Sequence, residues 1–200
     1  MRFTGRSIRT CSIAAAVIAI VLVIIWHFDR SPLERIYGRD GLRTLRHATN
    51  VVAYRVSGSR VIDAVEMYAA TTRPAATAPS SPRAKLLEYD LLSGPVKLSE
   101  EQQSQLLAIL TDTSTYGWGR VSVCTFNADV AFTCADADGN HVTVVLCFHC
   151  TDIHVHLSDR SDYRLDSFRS RRSDLLTLAQ ELFPEDASLR RLTSGEQGDD

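Results

Sequence analysis

An uncharged run from Thr10 to Phe28, wholly apolar between Ile13 and Trp26 (I-A-A-A-V-I-A-I-V-L-V-I-I-W), limits this chain more than any other feature. At about 1.5 Å per residue, a helix of that length covers a hydrocarbon core of about 30 Å. Residues 11–28 are expected to form a single transmembrane helix, which makes the lipid bilayer a partner of the chain. Arg2, Arg6 and Arg9 precede the run, so residues 1–10 should stay cytoplasmic and the rest be exported. Arg30, Arg35 and Arg39 on the far side oppose that orientation, although Asp29 and Glu34 accompany them. Trp26 falls at the exit interface, where an indole sits well between tails and headgroups. A cleaved signal peptide would share the basic start and the apolar core, but W-H-F-D-R-S comes next with no small-x-small site. Cys11 stands before the wholly apolar stretch and not after it, unlike a lipoprotein acylation site. The expectation is an uncleaved anchor.

Beyond the anchor, a chain of 200 residues with 44% hydrophobic content keeps enough apolar material for one domain with its own core. The formal charge of -2, with arginines scattered among carboxylates, supplies no basic field for nucleic acid. Export changes the reading of the cysteines. Cys124, Cys134, Cys147 and Cys150 form an even set in a compartment that permits disulfides.

Residues 29–48 read as a juxtamembrane helix or spacer, with Ser31 as cap, Pro32 at the first helical position and Glu34 reaching back. It carries Leu33, Ile36 and Tyr37 and should break near Gly38 or Gly41. Residues 49–192 are expected to form the exported domain. Val51 to Val56 and Val61 to Tyr68, around Ser57-Gly58-Ser59-Arg60, read as a hairpin. Residues 69–84 are rich in Ala, Thr, Pro and Ser and read as a disordered loop, after which Leu86 to Leu92 resumes a strand-like pattern. Ser99 and Gln102 can close a capping box on a helix that carries Leu106, Ile109 and Leu110 on one face.

Four short strand candidates come after that helix: Val121 to Phe126, Val130 to Ala135, Val142 to Phe148 and Ile153 to Leu157. Asp138-Gly139 suits a tight hairpin, and links this short imply an antiparallel meander. In the last strand Ile153, Val155 and Leu157 should face the helices, with His154 and His156 on the solvated side. Asp159, Asp162 and Asp166 alternate with Arg160, Arg164 and Arg169, which reads as a solvated loop of local ion pairs. A final helix opens at Ser173-Asp174, carries Leu175, Leu178, Ala179 and Leu182, and stops at Pro184. Residues 193–200 are too polar to bury anything and read as a disordered tail. The fold class is therefore α+β: a single-pass N-terminal transmembrane helix, then a mostly antiparallel sheet with two main helices packed on one face.

Chemistry concentrates in V-T-V-V-L-C-F-H-C-T-D-I-H-V-H-L, residues 142–157. Cys147-Phe148-His149-Cys150 resembles the C-x-H-C of periplasmic dithiol oxidants, where a neighbouring imidazole stabilises a thiolate. Those enzymes place the first cysteine at a helix N-terminus, whereas Thr151 to Leu157 alternates as a strand. Metal binding is a second reading, with Cys147, Cys150, His149, His154 and His156 as candidate ligands and His141 and Cys124 in reach. The spacing C-x9-C-x12-C-x2-C matches no two-knuckle zinc site. The third reading is a disulfide-stapled sheet, in which Cys124 joins Cys147 or Cys150 and Cys134 takes the remaining partner.

Leu98-Ser99-x-Glu101-Gln102, Tyr116 with Trp118, Cys124, Val144 to Cys150 (V-V-L-C-F-H-C) and Leu182-Phe183-Pro184 together resemble a group of small membrane-anchored or exported bacterial proteins with an L-C-F-x-C core. The resemblance covers the C-terminal half, implies a shared domain and carries over no catalytic residue; Cys134 lies outside its pattern. No G-x-S-x-G, H-E-x-x-H, phosphate loop or dinucleotide fingerprint occurs. The functional expectation is a non-enzymatic, disulfide-stabilised envelope domain without cofactor that meets another envelope protein. A Cys/His metal module and a thiol-disulfide oxidoreductase are the alternatives.

Overall fold

The computed structural model describes residues 31–60, 84–117, 125–158 and 163–192. The expected anchor at 11–28, the hairpin arm at 61–68, the loop up to residue 83, Cys124 and the tail at 193–200 lie outside these. No helix among the described residues is long and apolar enough to cross a membrane.

The domain is α+β. Helix α1 (Pro32–Arg46) leads into strands β1 (Asn50–Ser57) and β2 (Ser59–Arg60), then the pair β3 (Lys85–Leu86) and β4 (Tyr89–Lys97). Helix α2 (Glu100–Leu110) is followed by β5 (Phe126–Asn127), β6 (Val130–Ala135), β7 (His141–Cys147), β8 (Asp152–Leu157) and β9 (Tyr163–Ser167). Helices α3 (Arg172–Leu182) and α4 (Ala187–Arg191) close the described chain. The main sheet has seven strands in the order β3-β4-β1-β6-β7-β8-β9, and β2 pairs with β5 apart from it. Every pairing is antiparallel.

Several local signals act as expected. Ser99 and Gln102 exchange both bonds of the capping box at the start of α2. Asp136 accepts the backbone N–H groups of Asp138 and Asn140, and Gly139 takes φ +85°, so the β6–β7 turn closes at Asp138-Gly139. The alternation in β8 sends Ile153 and Val155 into the main core, where they meet the helices.

Several expectations are corrected. Among the described residues, all four α-helices contribute to the core on one face of the sheet, and three of them, α1, α2 and α3, are long, where two main helices were expected. α1 is not a spacer: it kinks at Gly38 (φ +67°), and Leu33, Ile36, Tyr37, Leu42 and Leu45 are all buried in the main core. Tyr37 donates its hydroxyl to Tyr116, because the Tyr116 hydroxyl is itself donated to the Leu110 carbonyl at 2.7 Å. β1 pairs with β4 on one edge and β6 on the other, and the second arm of its expected hairpin, residues 61–68, lies outside the described residues. Residues 163–167, expected as solvated loop, form the edge strand β9, where Asp166 and Ser167 are buried.

Leu86 to Leu92 also divides, because the chain turns at Leu87-Glu88 and pairs with itself as β3 and β4. β4 then runs on through Gly94, where a Cβ would stand 2.9 Å from the Ala53 carbonyl oxygen at φ +110°, so only glycine fits.

If α1 belongs to the core, Leu45→Ala should lower the unfolding free energy by about 2–5 kcal/mol, as for other fully buried leucines. Urea denaturation of the full chain in detergent measures it, and a loss of about 0.5 kcal/mol or less would restore the spacer reading.

Candidate functional site

β-strand parity separates the sequence candidates. Val142, Val144 and Leu146 of β7 join Cys134, Phe132 and Val130 of β6 on the helix face. Val145 and Cys147 point the other way, into a second apolar cluster with Val56, Tyr89, Phe126, Ala131 and Cys150. Cys134 pairs with Val142 across the β6–β7 ladder, five positions from Cys147. An odd separation along one strand means opposite faces, so Cys134 does not share a face with Cys147.

Both are free thiols. The four-cysteine pairing scheme therefore does not form, and Cys134 has no partner to staple. Burial pushes the Cys134 thiol up to about 12. Burial also raises Cys147, against the opposing effect of backbone N–H groups from Cys150 and Asn127. Cys147 is 0% exposed.

The C-x-x-C closes the β7–β8 hairpin. Phe148, His149 and Cys150 make the turn, the Cys150 N–H points at Cys147 Sγ at 3.3 Å, and Thr151 takes φ +61° before β8 begins. The Cys150 Sγ lies 3.2 Å from the Thr125 carbonyl oxygen. His149, at the crest of the turn, is exposed.

His154 and His156 are not on a solvated face. They are 1% and 8% exposed. The His154 ring stacks on Phe126 at 3.5 Å between centroids and 15° between planes, and its Nδ1 lies 3.0 Å from the Tyr89 hydroxyl. His156 meets Tyr89 edge-on, and its Nε2 lies 4.0 Å from a Glu88 oxygen. An aromatic ring and a phenol hydroxyl surround His154 where a metal centre would supply further donors. Among the described residues no group of three His, Cys, Asp or Glu side chains is arranged to hold a metal ion. Cys147, Cys150, His154 and His156 thus share a sheet face, while His149 and Cys134 do not join them.

A buried ionic knot, unread in the sequence, ties this hairpin to the C-terminal corner. Arg55 of β1 is 6% exposed and donates from all three guanidinium nitrogens. Nε reaches Asp186 at 2.7 Å, one terminal nitrogen reaches the carbonyls of Val56 and Asp129, and the other reaches Ser188 at 2.7 Å. The Asp129 carboxylate in turn accepts the Phe148 N–H at 2.8 Å. A cavity of about 410 Å³ opens beside Arg55, bordered by Leu92, Phe183 and Pro184, but every nitrogen of that arginine is already engaged. The signal for Asp186 was present: in P-E-D-A-S-L it caps α4 by accepting the N–H groups of Ser188 and Leu189.

The two carboxylates titrate in opposite senses. Burial alone would raise Asp186, but the Ser188 hydroxyl, the Leu189 N–H and Arg55 outweigh it and bring its pKa to about 2. That lies below the unfolded value of about 3.9, so its contribution is present above about pH 4 and is lost as the pH falls towards the folded value. Burial raises Asp129 against the Phe148 N–H and Arg55. Its contribution is present below the ordinary carboxylate range and is lost as the pH rises through its folded pKa.

Comparison with family models, with curated proteins and with solved structures finds no match.

Asp186→Ala strands Arg55 beside an empty site and should cost about 3–5 kcal/mol at pH 7. Asp129→Asn keeps an acceptor for Phe148 and removes a disfavoured charge, so it should cost under about 1 kcal/mol, against about 1–3 for Asp129→Ala. Denaturant titrations check the order; losses of about 0.5 kcal/mol or less for all three would show that the knot carries no stability.

Proposed function

We propose that the chain is a single-pass membrane protein whose exported domain is a non-enzymatic envelope interaction module, stapled by one disulfide between Cys124 and Cys150. The state of Cys147 carries this reading. A thiol-disulfide oxidoreductase needs its first cysteine accessible and ionised, whereas burial here encloses that sulfur and raises its pKa. The cysteines act as packing and fastening groups.

The choice of Cys124 and Cys150 is supported by elimination and by position. Cys134 and Cys147 are free, Cys150 is not among the free thiols, and its sulfur lies against Thr125, the residue after Cys124. A bridge there would tie the β7–β8 turn to the chain entering β5 and should contribute about 2–4 kcal/mol. Anchor and export are inferred from the apolar run and its basic flank. Leu87 and Leu92, both exposed at the β3–β4 edge, are the apolar surface such a module would offer an envelope protein.

Alkylation in denaturant followed by intact mass tests the staple. With five cysteines and one bridge, three should be labelled without reductant and five with it. Five labelled without reductant would remove the disulfide. Labelling of Cys147 in the folded protein at the rate of a free peptide thiol would reopen the redox reading.

A further inference from the structure

We infer that the exposed face of α1 docks on anionic phospholipid headgroups of the membrane that anchors the chain. The inference rests on the anchor reading and goes beyond it, since an anchor alone leaves the domain free to tumble above the lipid. In sequence, residues 29–31 separate the end of the apolar run at Phe28 from Pro32, the first residue of α1. At about 3.6 Å per residue at most, α1 begins within roughly 14 Å of the hydrocarbon edge. The headgroup layer itself is about 5–8 Å deep, so the helix starts at or just above the phosphates.

The apolar side of α1 is consumed by the main core. Its other side exposes Arg35, Arg39, Arg43 and Arg46, spaced four, four and three residues apart. Arg39, Arg43 and Arg46, which follow the kink at Gly38, lie on one helical stripe by that spacing, and Arg35 is exposed on the segment before the kink. Four arginines against Glu34 and Asp40 leave the helix at +2, in a chain whose formal charge is -2. Positive charge is therefore concentrated where the chain meets the bilayer. Glu34 and Asp40 hold Arg39 and Arg43 at 3.7 and 3.4 Å; both guanidiniums and Asp40 are largely exposed, and Glu34 is half-buried. Exposed pairs hold weakly, and a guanidinium exchanges readily to phosphate, which it can grip with two N–H groups. This also gives Arg35 and Arg39 a role on the side of the anchor where the orientation rule does not favour them.

The test uses the full chain in nanodiscs of phosphatidylcholine alone or with phosphatidylglycerol. A fluorescent non-natural residue replaces His47, which is exposed at the end of α1, and brominated lipid serves as quencher. Each basic residue at an anionic surface strengthens binding on the order of five-fold, so quenching should be at least about three-fold greater with the anionic lipid. It should fall to the phosphatidylcholine level in Arg39→Gln/Arg43→Gln/Arg46→Gln and in about 0.5 M salt, where charges are screened within a few ångströms. Equal quenching in both lipids, in a chain that resists alkaline carbonate extraction, would overturn the docking and leave the anchor standing. Release by carbonate would overturn the anchor and the docking with it.

Discussion

β7 is sealed on both faces, and the rest of the domain is arranged to keep it so. From Val142 to Cys147 every position is buried. A strand in this situation needs a layer above and a layer below, because its apolar side chains alternate between them. Helices α1, α2 and α3 supply the first layer. The second is thinner and more polar, with Tyr89, Phe126 and the two histidines of β8 packed beside Val145 and Cys147. The Arg55 knot then fastens the β7–β8 turn, through Asp129, to the α3–α4 corner.

The features legible in the sequence were those that depend on neighbours along the chain. The capping box of α2, the Asp138-Gly139 turn, the Ser31 cap and the alternation of β8 each need only a few adjacent residues to specify them. The readings that failed depended on distant partners. Tyr163 to Ser167 carries charges suited to a solvated loop, and it is a strand because β8 offers an edge. Helix α1 looked like a spacer because the strands it contacts, β6 to β9, begin more than eighty residues after it ends. His154 and His156 looked solvated because polar positions alternate with apolar ones. The same alternation results when both faces are covered and one of them contains a polar lining.

The site obeyed the same rule. The turn character of C-F-H-C was readable because the alternating strand Ile153 to Leu157 begins so soon after it. The separation of Cys134 from Cys147 was open to strand parity once the Asp-Gly turn was placed. Arg55 with Asp129 and Asp186 could not be read, since the three residues share no local pattern and meet across three elements. Burial encloses Cys147, His154 and His156, three of the most reactive-looking residues of the sequence.

The claim that the second face of the sheet is interior can be measured directly by diethyl pyrocarbonate footprinting of the folded chain. His47, His141 and His149 are exposed and should be modified quickly, whereas His154 and His156 should stay protected until denaturant unfolds the domain. Modification of His154 and His156 at the rate of His149 would show that face to be open to water and would contradict the account.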